Sequence, residues 1–111
     1  MKNYFDVRGR VAFVTGASKG LGKMFADTLG DAGAKLFILA TTREPLEAAC
    51  REFREKGYEC ECFCGNITDA AAVDEAVRRC VERYGRIDIL VNNAAAMRTN
   101  KAPEEGNEEL F

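Results

Sequence analysis

The sequence predicts an α/β domain, a doubly wound parallel sheet in which strands and helices alternate as β-α-β-α-β-α-β. Three observations carry this reading. Four short strand-like segments, at 11–15, 36–40, 59–64 and 87–91, are separated by stretches with helical spacing. Each helical stretch stops at a glycine, Gly33, Gly57 or Gly85, as helices commonly do at the C-terminal cap. A glycine-rich octet, Thr15-Gly16-Ala17-Ser18-Lys19-Gly20-Leu21-Gly22, lies between the first strand and the first helix.

The first strand, Val11-Ala12-Phe13-Val14 and Thr15, is a continuous apolar run, as expected of a strand covered on both faces. Leu21, Met24, Phe25, Thr28, Leu29 and Ala32 then recur at helical spacing and predict the buried face of the first helix. The run at 36–40 is the second strand. Pro45 suits the first turn of the second helix, where its missing N–H would be unpaired anyway, and Leu46, Ala49, Cys50 and Phe53 form that helix's apolar stripe. Residues 59–64 form the third strand. Thr68 and Asp69 are N-cap candidates for the third helix, and Val73, Ala76, Val77, Cys80, Val81 and Tyr84 give its apolar stripe. The run at 87–91 is the fourth strand, and a polar tail rich in Asn and Glu follows at 99–109.

Composition narrows the function. With 111 residues the chain is one domain or part of one. Its net charge of −2 gives no pointer to nucleic acid or an anionic membrane surface. No apolar stretch is long enough to span a bilayer, and residues 1–10 lack the apolar core of a signal peptide, so a cytoplasmic protein is expected. The odd count of 5 cysteines argues against a disulfide framework. Cys60, Cys62 and Cys64 alternate with Glu61 and Phe63, which is the spacing of three small side chains on one strand face rather than of a zinc site, and no metal is expected. The chain contains no His, which removes Ser–His and Cys–His nucleophile pairs. Chemistry would run on other groups or on a bound cofactor.

The octet points to that cofactor. A glycine turn between a buried strand and a helix lets backbone N–H groups approach a pyrophosphate, and the helix N-terminus adds partial positive charge.

With this turn, the Gly65-Asn66-Ile67-Thr68-Asp69 segment after the third strand and Asp88-Ile89-Leu90-Val91-Asn92-Asn93-Ala94-Ala95 at the fourth, the chain resembles the N-terminal half of a short-chain dehydrogenase/reductase. The three segments match that family's Thr-Gly-x-x-x-Gly-x-Gly turn, post-strand segment and Asn-Asn-Ala-Gly segment in order. The resemblance implies a Rossmann-type nicotinamide dinucleotide site. In it Gly16, Ala17, Ser18, Lys19, Gly20, Leu21 and Gly22 form the turn that borders the pyrophosphate and adenosine ribose. Asn66 and Ile67 flank the adenine, and Asn93, Ala94 and Ala95 line the cofactor. The family usually has Asp at position 66. Either side chain accepts a hydrogen bond from the adenine amine, and Asn can also donate one to a ring nitrogen. Ala95 stands where the family has Gly, a penalty on the order of 1 kcal/mol if the backbone there needs positive φ. By the same resemblance, residues 1–98 are a dinucleotide-binding half-domain and 99–111 the start of a further loop or helix. Strand capping is the alternative role for Asn92 and Asn93.

The expected cofactor is NADP in preference to NAD. NAD-preferring sites carry an acid about 20 residues past the glycines, whereas the second strand here ends Leu39-Ala40-Thr41-Thr42-Arg43. Thr41 and Thr42 offer hydroxyls, and Lys19 and Arg43 offer positive charge to a 2′-phosphate. The alternative for Arg43 is a solvated residue that starts the next helix.

The implied reaction is hydride transfer between the nicotinamide and an alcohol or ketone carbon of a small molecule. In the family a Tyr, a Lys four residues later and a Ser perform the acid–base work. The residues four beyond Tyr4, Tyr58 and Tyr84 are Arg8, Cys62 and Asp88, so the pair is absent here and no catalytic residue is assigned. The chain then reads as a cofactor-binding half, marginally stable and inactive alone, with an open edge on its fourth strand; whole family members are usually homo-oligomers. Arg98, with the opening Phe5-Asp6-Val7-Arg8-Gly9-Arg10, is faintly similar to sugar-acid dehydrogenases of the gluconate 5-dehydrogenase type and is a candidate partner for a substrate carboxylate; a solvated Arg is the alternative. A non-catalytic nucleotide-binding module and a non-functional fragment stand beside the oxidoreductase reading.

Overall fold

The computed structural model describes residues 6–93. Seven elements alternate: β1 (Val11–Thr15), α1 (Gly20–Asp31), β2 (Lys35–Ala40), α2 (Arg43–Glu55), β3 (Cys60–Cys64), α3 (Ala70–Tyr84) and β4 (Ile89–Asn92). The strands form one parallel sheet in the order β3-β2-β1-β4. The chain therefore steps outward from β1 to β3, then crosses back to place β4 on the far side of β1. That reversal makes a topological switch point beside β1, where open α/β sheets bind ligands.

Two cores sandwich the sheet. Ala12, Val14, Leu36 and Ile38 face α1 and α2, meeting Ala26, Leu46, Ala49, Cys50 and Phe53. Val11, Phe13, Phe37 and Leu39 face α3, meeting Ala76 and Cys80. The alternation follows from the pleat, which sends successive side chains to opposite faces. Phe13 and Phe37 stack with centroids 5.5 Å apart. The apolar stripe expected of α2 is wholly buried. At α3, Asp69 caps the first turn by accepting from the Ala71 N–H at 3.0 Å, and Gly85 closes the helix at φ +88°.

The first helix corrects the sequence reading. Its buried residues are Gly22, Ala26 and Gly30, not the apolar set, and Leu21, Met24 and Phe25 are exposed. Small residues at every fourth position let the backbone of α1 lie close to its neighbours. A Cβ on Gly30 would overlap the ring of Tyr58, and one on Gly22 would overlap the Gly16 carbonyl. The stripe of α3 is likewise narrower than its pattern: Ala76 and Cys80 are buried, while Val77 and Val81 are exposed.

The fourth strand begins two residues later than expected. Ile87 precedes it and packs against the α3-side core. Asp88 instead pins the two strands together. Its Oδ2 accepts from the Val11 N–H at 2.8 Å, and its own N–H donates to the Val11 carbonyl at 2.9 Å. The Val11 N–H, aided by the Arg86 guanidinium, holds its carboxyl below the usual range. Among the described residues β4 pairs with β1 alone, and Leu90 on it is 67% exposed.

Cys60, Cys62 and Cys64 share one face of β3 and pack on the α2-side core, while Phe63 turns to the other core. No metal-binding cluster of three or more ligands occurs among the described residues. Burial pushes the Cys80 thiol up to about 11, the behaviour of a packed hydrophobe rather than a nucleophile. No helix among the described residues is long and apolar enough to cross a membrane.

Candidate functional site

At the end of β1 the chain turns through Gly16 at φ +65°, a conformation that favours glycine. The turn is anchored to the next strand, since the Gly16 N–H donates to the Leu39 carbonyl at 2.8 Å. Gly20, at φ +63°, then opens α1. Lys19 at the N-cap gives no side-chain cap, and the first turn of α1 contains no acid. The N–H groups of Gly20, Leu21 and Gly22 are those a helix cannot satisfy internally, so the end of α1 is a positive, donor-rich surface.

The turn is locked from the far side. The Thr15 hydroxyl accepts from the Asn93 N–H at 3.0 Å and donates to Asn92 Oδ1 at 3.0 Å. Asn93 Nδ2 in turn donates to the Gly16 carbonyl at 3.4 Å. A Cβ on Gly22 would come within 2.8 Å of the same amide. Asn92 and Asn93 thus join the end of β4 to the glycine turn, in keeping with the capping role open to them.

A cleft of about 340 Å³ opens at the carboxyl ends of β1, β2 and β3. Gly16, Ser18 and Lys19 line it from the turn. Thr41 and Thr42 line it from the end of β2, and Asn66 and Ile67 from the end of β3. These seven are among the residues singled out from sequence. Ala17 is buried in the α2-side core, and Gly20, Leu21 and Gly22 stand behind the turn as the start of α1. Arg43 begins α2 and pairs with Glu47 at 3.4 Å, outside the lining residues. Ala94, Ala95 and Arg98 lie outside the described residues.

Pattern reasoning missed Leu39, Ala40, Gly65 and Thr68, which also line the cleft. Leu39 and Ala40 read as core strand, and they are; only their place at a carboxyl end gives them a second duty. No carboxylate occurs among the lining residues, and Lys19 has no ion-pair partner among the described residues. The cleft therefore suits an anion. Its glycine turn leaves room for one against the backbone, and its chemistry fits the phosphates of a dinucleotide.

The two described tyrosines are committed elsewhere. Tyr58 donates to Asp27 at 2.7 Å, and that contact pushes its phenol up to about 12. Tyr84 donates to the Leu36 carbonyl at 3.1 Å, and burial raises its phenol. A proton-transfer phenol requires the opposite shift.

The fold and this cleft define a Rossmann-type α/β domain. The short chain dehydrogenase family model matches residues 10–111, and the chain belongs to that family. It is 38% identical over 105 residues to the uncharacterized oxidoreductase YgcW of Escherichia coli, covering 94% of this chain and 40% of that protein. It is 35% identical over 107 residues to 2,3-dihydro-2,3-dihydroxybenzoate dehydrogenase of Bacillus subtilis, covering 96% and 41%. Among solved structures, an actinorhodin polyketide ketoreductase with NADPH superposes with a TM-score of 0.74 at 38% identity, over 76% of this chain and 32% of that one. A metagenomic short-chain oxidoreductase in complex with NADP gives 0.71 at 34%, over 77% and 38%. The chain spans about two fifths of the length of the two relatives named. The similarity to gluconate 5-dehydrogenase-type enzymes is not shown by either relative, the first of which is uncharacterized.

Proposed function

We propose that this chain is the cofactor-binding part of an NADP-dependent oxidoreductase that moves a hydride between the nicotinamide and an alcohol or ketone carbon. The observation that carries it is the cleft beside the β1 switch point, backed by the uncapped N-terminus of α1 and free of carboxylates. The pyrophosphate lies against the Gly16 to Gly22 turn, where backbone N–H groups neutralise it without a side-chain counter-ion. Lys19 with Thr41 and Thr42 holds a 2′-phosphate, and Arg43 adds longer-range positive charge from the start of α2. Ile67 gives the adenine an apolar wall. Asn93 holds the turn in shape; Ala94 and Ala95 are assigned to the cofactor and Arg98 to a substrate carboxylate on the family resemblance alone. When bound, the cofactor supplies the hydride acceptor or donor; the described residues bind and orient it.

No Tyr in the sequence is followed four residues later by Lys, so the family's proton-transfer pair is not among these 111 residues. The commitment of Tyr58 and Tyr84 to structural hydrogen bonds supports this, as does the span of about two fifths of the named relatives. The described residues then form a binding unit, and the 111-residue chain is expected to show no turnover of its own.

Titration of the chain with NADPH and NADH, followed by nicotinamide fluorescence, tests the reading. NADPH is expected to bind about tenfold or more tightly, a difference of about 1.4 kcal/mol, and Lys19→Ala to remove most of that preference. Equal affinities, or a preference untouched by Lys19→Ala, overturn the NADP assignment.

A further inference from the structure

Cys50, Cys60, Cys62 and Cys64 gather on one side of the sheet, between α2 and β3. Cys50 belongs to the buried stripe of α2, and its thiol donates to the Cys60 carbonyl at 3.5 Å, so the helix rests this sulfur on β3 itself. Cys60 and Cys62 stand on the same strand face, two residues apart. Contacts between the side chains join these three. Hydrogen bonding to Cys60 pushes the Cys50 thiol up to about 11, and hydrogen bonding to Cys50 pushes the Cys62 thiol up as well. Cys50 and Cys60 are buried, whereas Cys62 is partly exposed. Cys80 differs from all of them: it is fully buried in the core on the other side of the sheet, with no other cysteine in that core. A sulfur that solvent can reach, backed by a buried one, is the arrangement that thiol–disulfide exchange uses.

We propose that Cys62 and Cys50 are a redox-responsive pair: Cys62 reacts with a low-molecular-weight disulfide, Cys50 resolves the product, and the reversible bond that forms fastens α2 to β3. The Cys62 thiolate attacks one sulfur of the oxidant and releases the other half as a thiol. The Cys50 thiolate then attacks the Cys62 sulfur of this mixed disulfide and displaces the second half. Two protein thiols are oxidised, one oxidant disulfide is reduced to two thiols, and the two protons lost by the protein end on them. Both cysteines stay protonated at neutral pH, so the exchange is slow and needs an oxidant that persists. The bond closes the short loop 50–62 and removes freedom from the unfolded chain. Its place also bears on the cleft: α2 begins just after Thr42 and β3 ends just before Gly65, and both of those residues line it. Oxidation therefore ties together the two elements that carry that side of the cleft.

The test is overnight incubation of the folded 111-residue chain with oxidised glutathione, followed by trypsin digestion without reductant and mass spectrometry. Trypsin cuts after Arg43, Arg51, Lys56 and Arg78, so Cys50 leaves in peptide 44–51 and Cys62 in peptide 57–78. The two are expected to appear as one cross-linked species that dithiothreitol separates, with fragmentation placing the bond at Cys62 and Cys80 still free. The oxidised chain should unfold at a midpoint about 5 °C or more above the reduced one. Cys62→Ser, checked for folding by circular dichroism, should lose both the cross-link and the rise. Three results overturn the proposal: no 44–51 to 57–78 cross-link, a bond placed at Cys60 or Cys64 instead, or a midpoint unchanged or lowered by oxidation. Fragmentation of the unmodified chain decides the bond's position even where the variant fails to fold.

Discussion

Helices α1 and α2 cover the same face of the sheet, yet they are held there by opposite means. The second helix buries bulk: Leu46, Ala49, Cys50 and Phe53 enter the core as one stripe. The first helix fully buries only small residues, Gly22, Ala26 and Gly30, adds a partly buried Leu29, and leaves Leu21 and Met24 more than half exposed. Salt bridges tie the two helices along their outer sides, Lys23 to Glu52 at 2.8 Å and Lys56 to Asp27 at 3.0 Å, but such exposed pairs contribute little. The difference is one of duty. Bulk gives α2 its stability, whereas the small face of α1 sets where its N-terminus sits. Close approach brings Gly22 onto the Gly16 carbonyl and fixes the donor-rich turn against the cleft. A larger side chain there would move the N-terminus away from the cleft it borders.

The largest effect expected from breaking this contrast lies in α2. Leu46 is 1% exposed, and Leu46→Ala leaves a cavity against the sheet that should cost about 2–5 kcal/mol. Chemical denaturation reads this directly as a lower midpoint at unchanged slope. A loss under about 1 kcal/mol would show that the α2 side of the core re-forms around the gap and that bulk is not what holds this helix.

The next effect should fall on binding more than on stability. Gly22→Ala drives a methyl into the Gly16 carbonyl oxygen and toward Asn93 Nδ2. The turn must open, at a cost of about 1–3 kcal/mol in stability. Dinucleotide affinity should drop by about tenfold or more, because the N–H groups of the turn no longer converge. Thermal unfolding and NADPH titration on the same sample separate the two losses. Unaltered affinity in a destabilised variant would reduce the glycine to a packing residue.

The same contrast explains what could be read in the sequence. The α2 stripe was legible because large apolar residues at helical spacing have one physical use. The β-α alternation was legible because Gly33, Gly57 and Gly85 punctuate it, all at positive φ. The face of α1 was not, because a Gly-Ala-Gly row carries no hydrophobic signal, while Leu21, Met24 and Phe25 carry a strong one and lie outside. Pattern reasoning assumes that apolar residues are covered, and the described part of the chain does not cover these. The start of β4 was misplaced for a similar reason: Ile87 is apolar because it packs on a core, not because it is in the strand. At the site, the glycine turn was legible from its spacing. The Leu39 and Ala40 contribution was hidden, since a residue that both fills a core and edges a cleft looks in sequence only like the first. The Thr68 N–H and hydroxyl, which both donate to Asn66 Oδ1, were equally invisible as its partners, because that contact depends on a loop conformation and not on residue type.

The smallest effect is the sharpest check on this account. Met24 is 53% exposed on α1, in the row that its spacing marks as core. Met24→Ala should change the stability of this chain by no more than about 0.5 kcal/mol, the range of surface substitutions. Alanine is also a helix former at least as good as Met, so no propensity loss blurs the comparison. Placed beside Leu46→Ala, it sets two truncations of similar size on two helices of one sheet face, one expected to be severe and one nearly silent. A Met24→Ala loss of about 2 kcal/mol or more would mean that the apolar row of α1 is covered in solution, by another copy of the chain or by the helix turning about its axis. Repeating the measurement at tenfold lower protein concentration separates these two causes, since only association between copies makes stability depend on concentration.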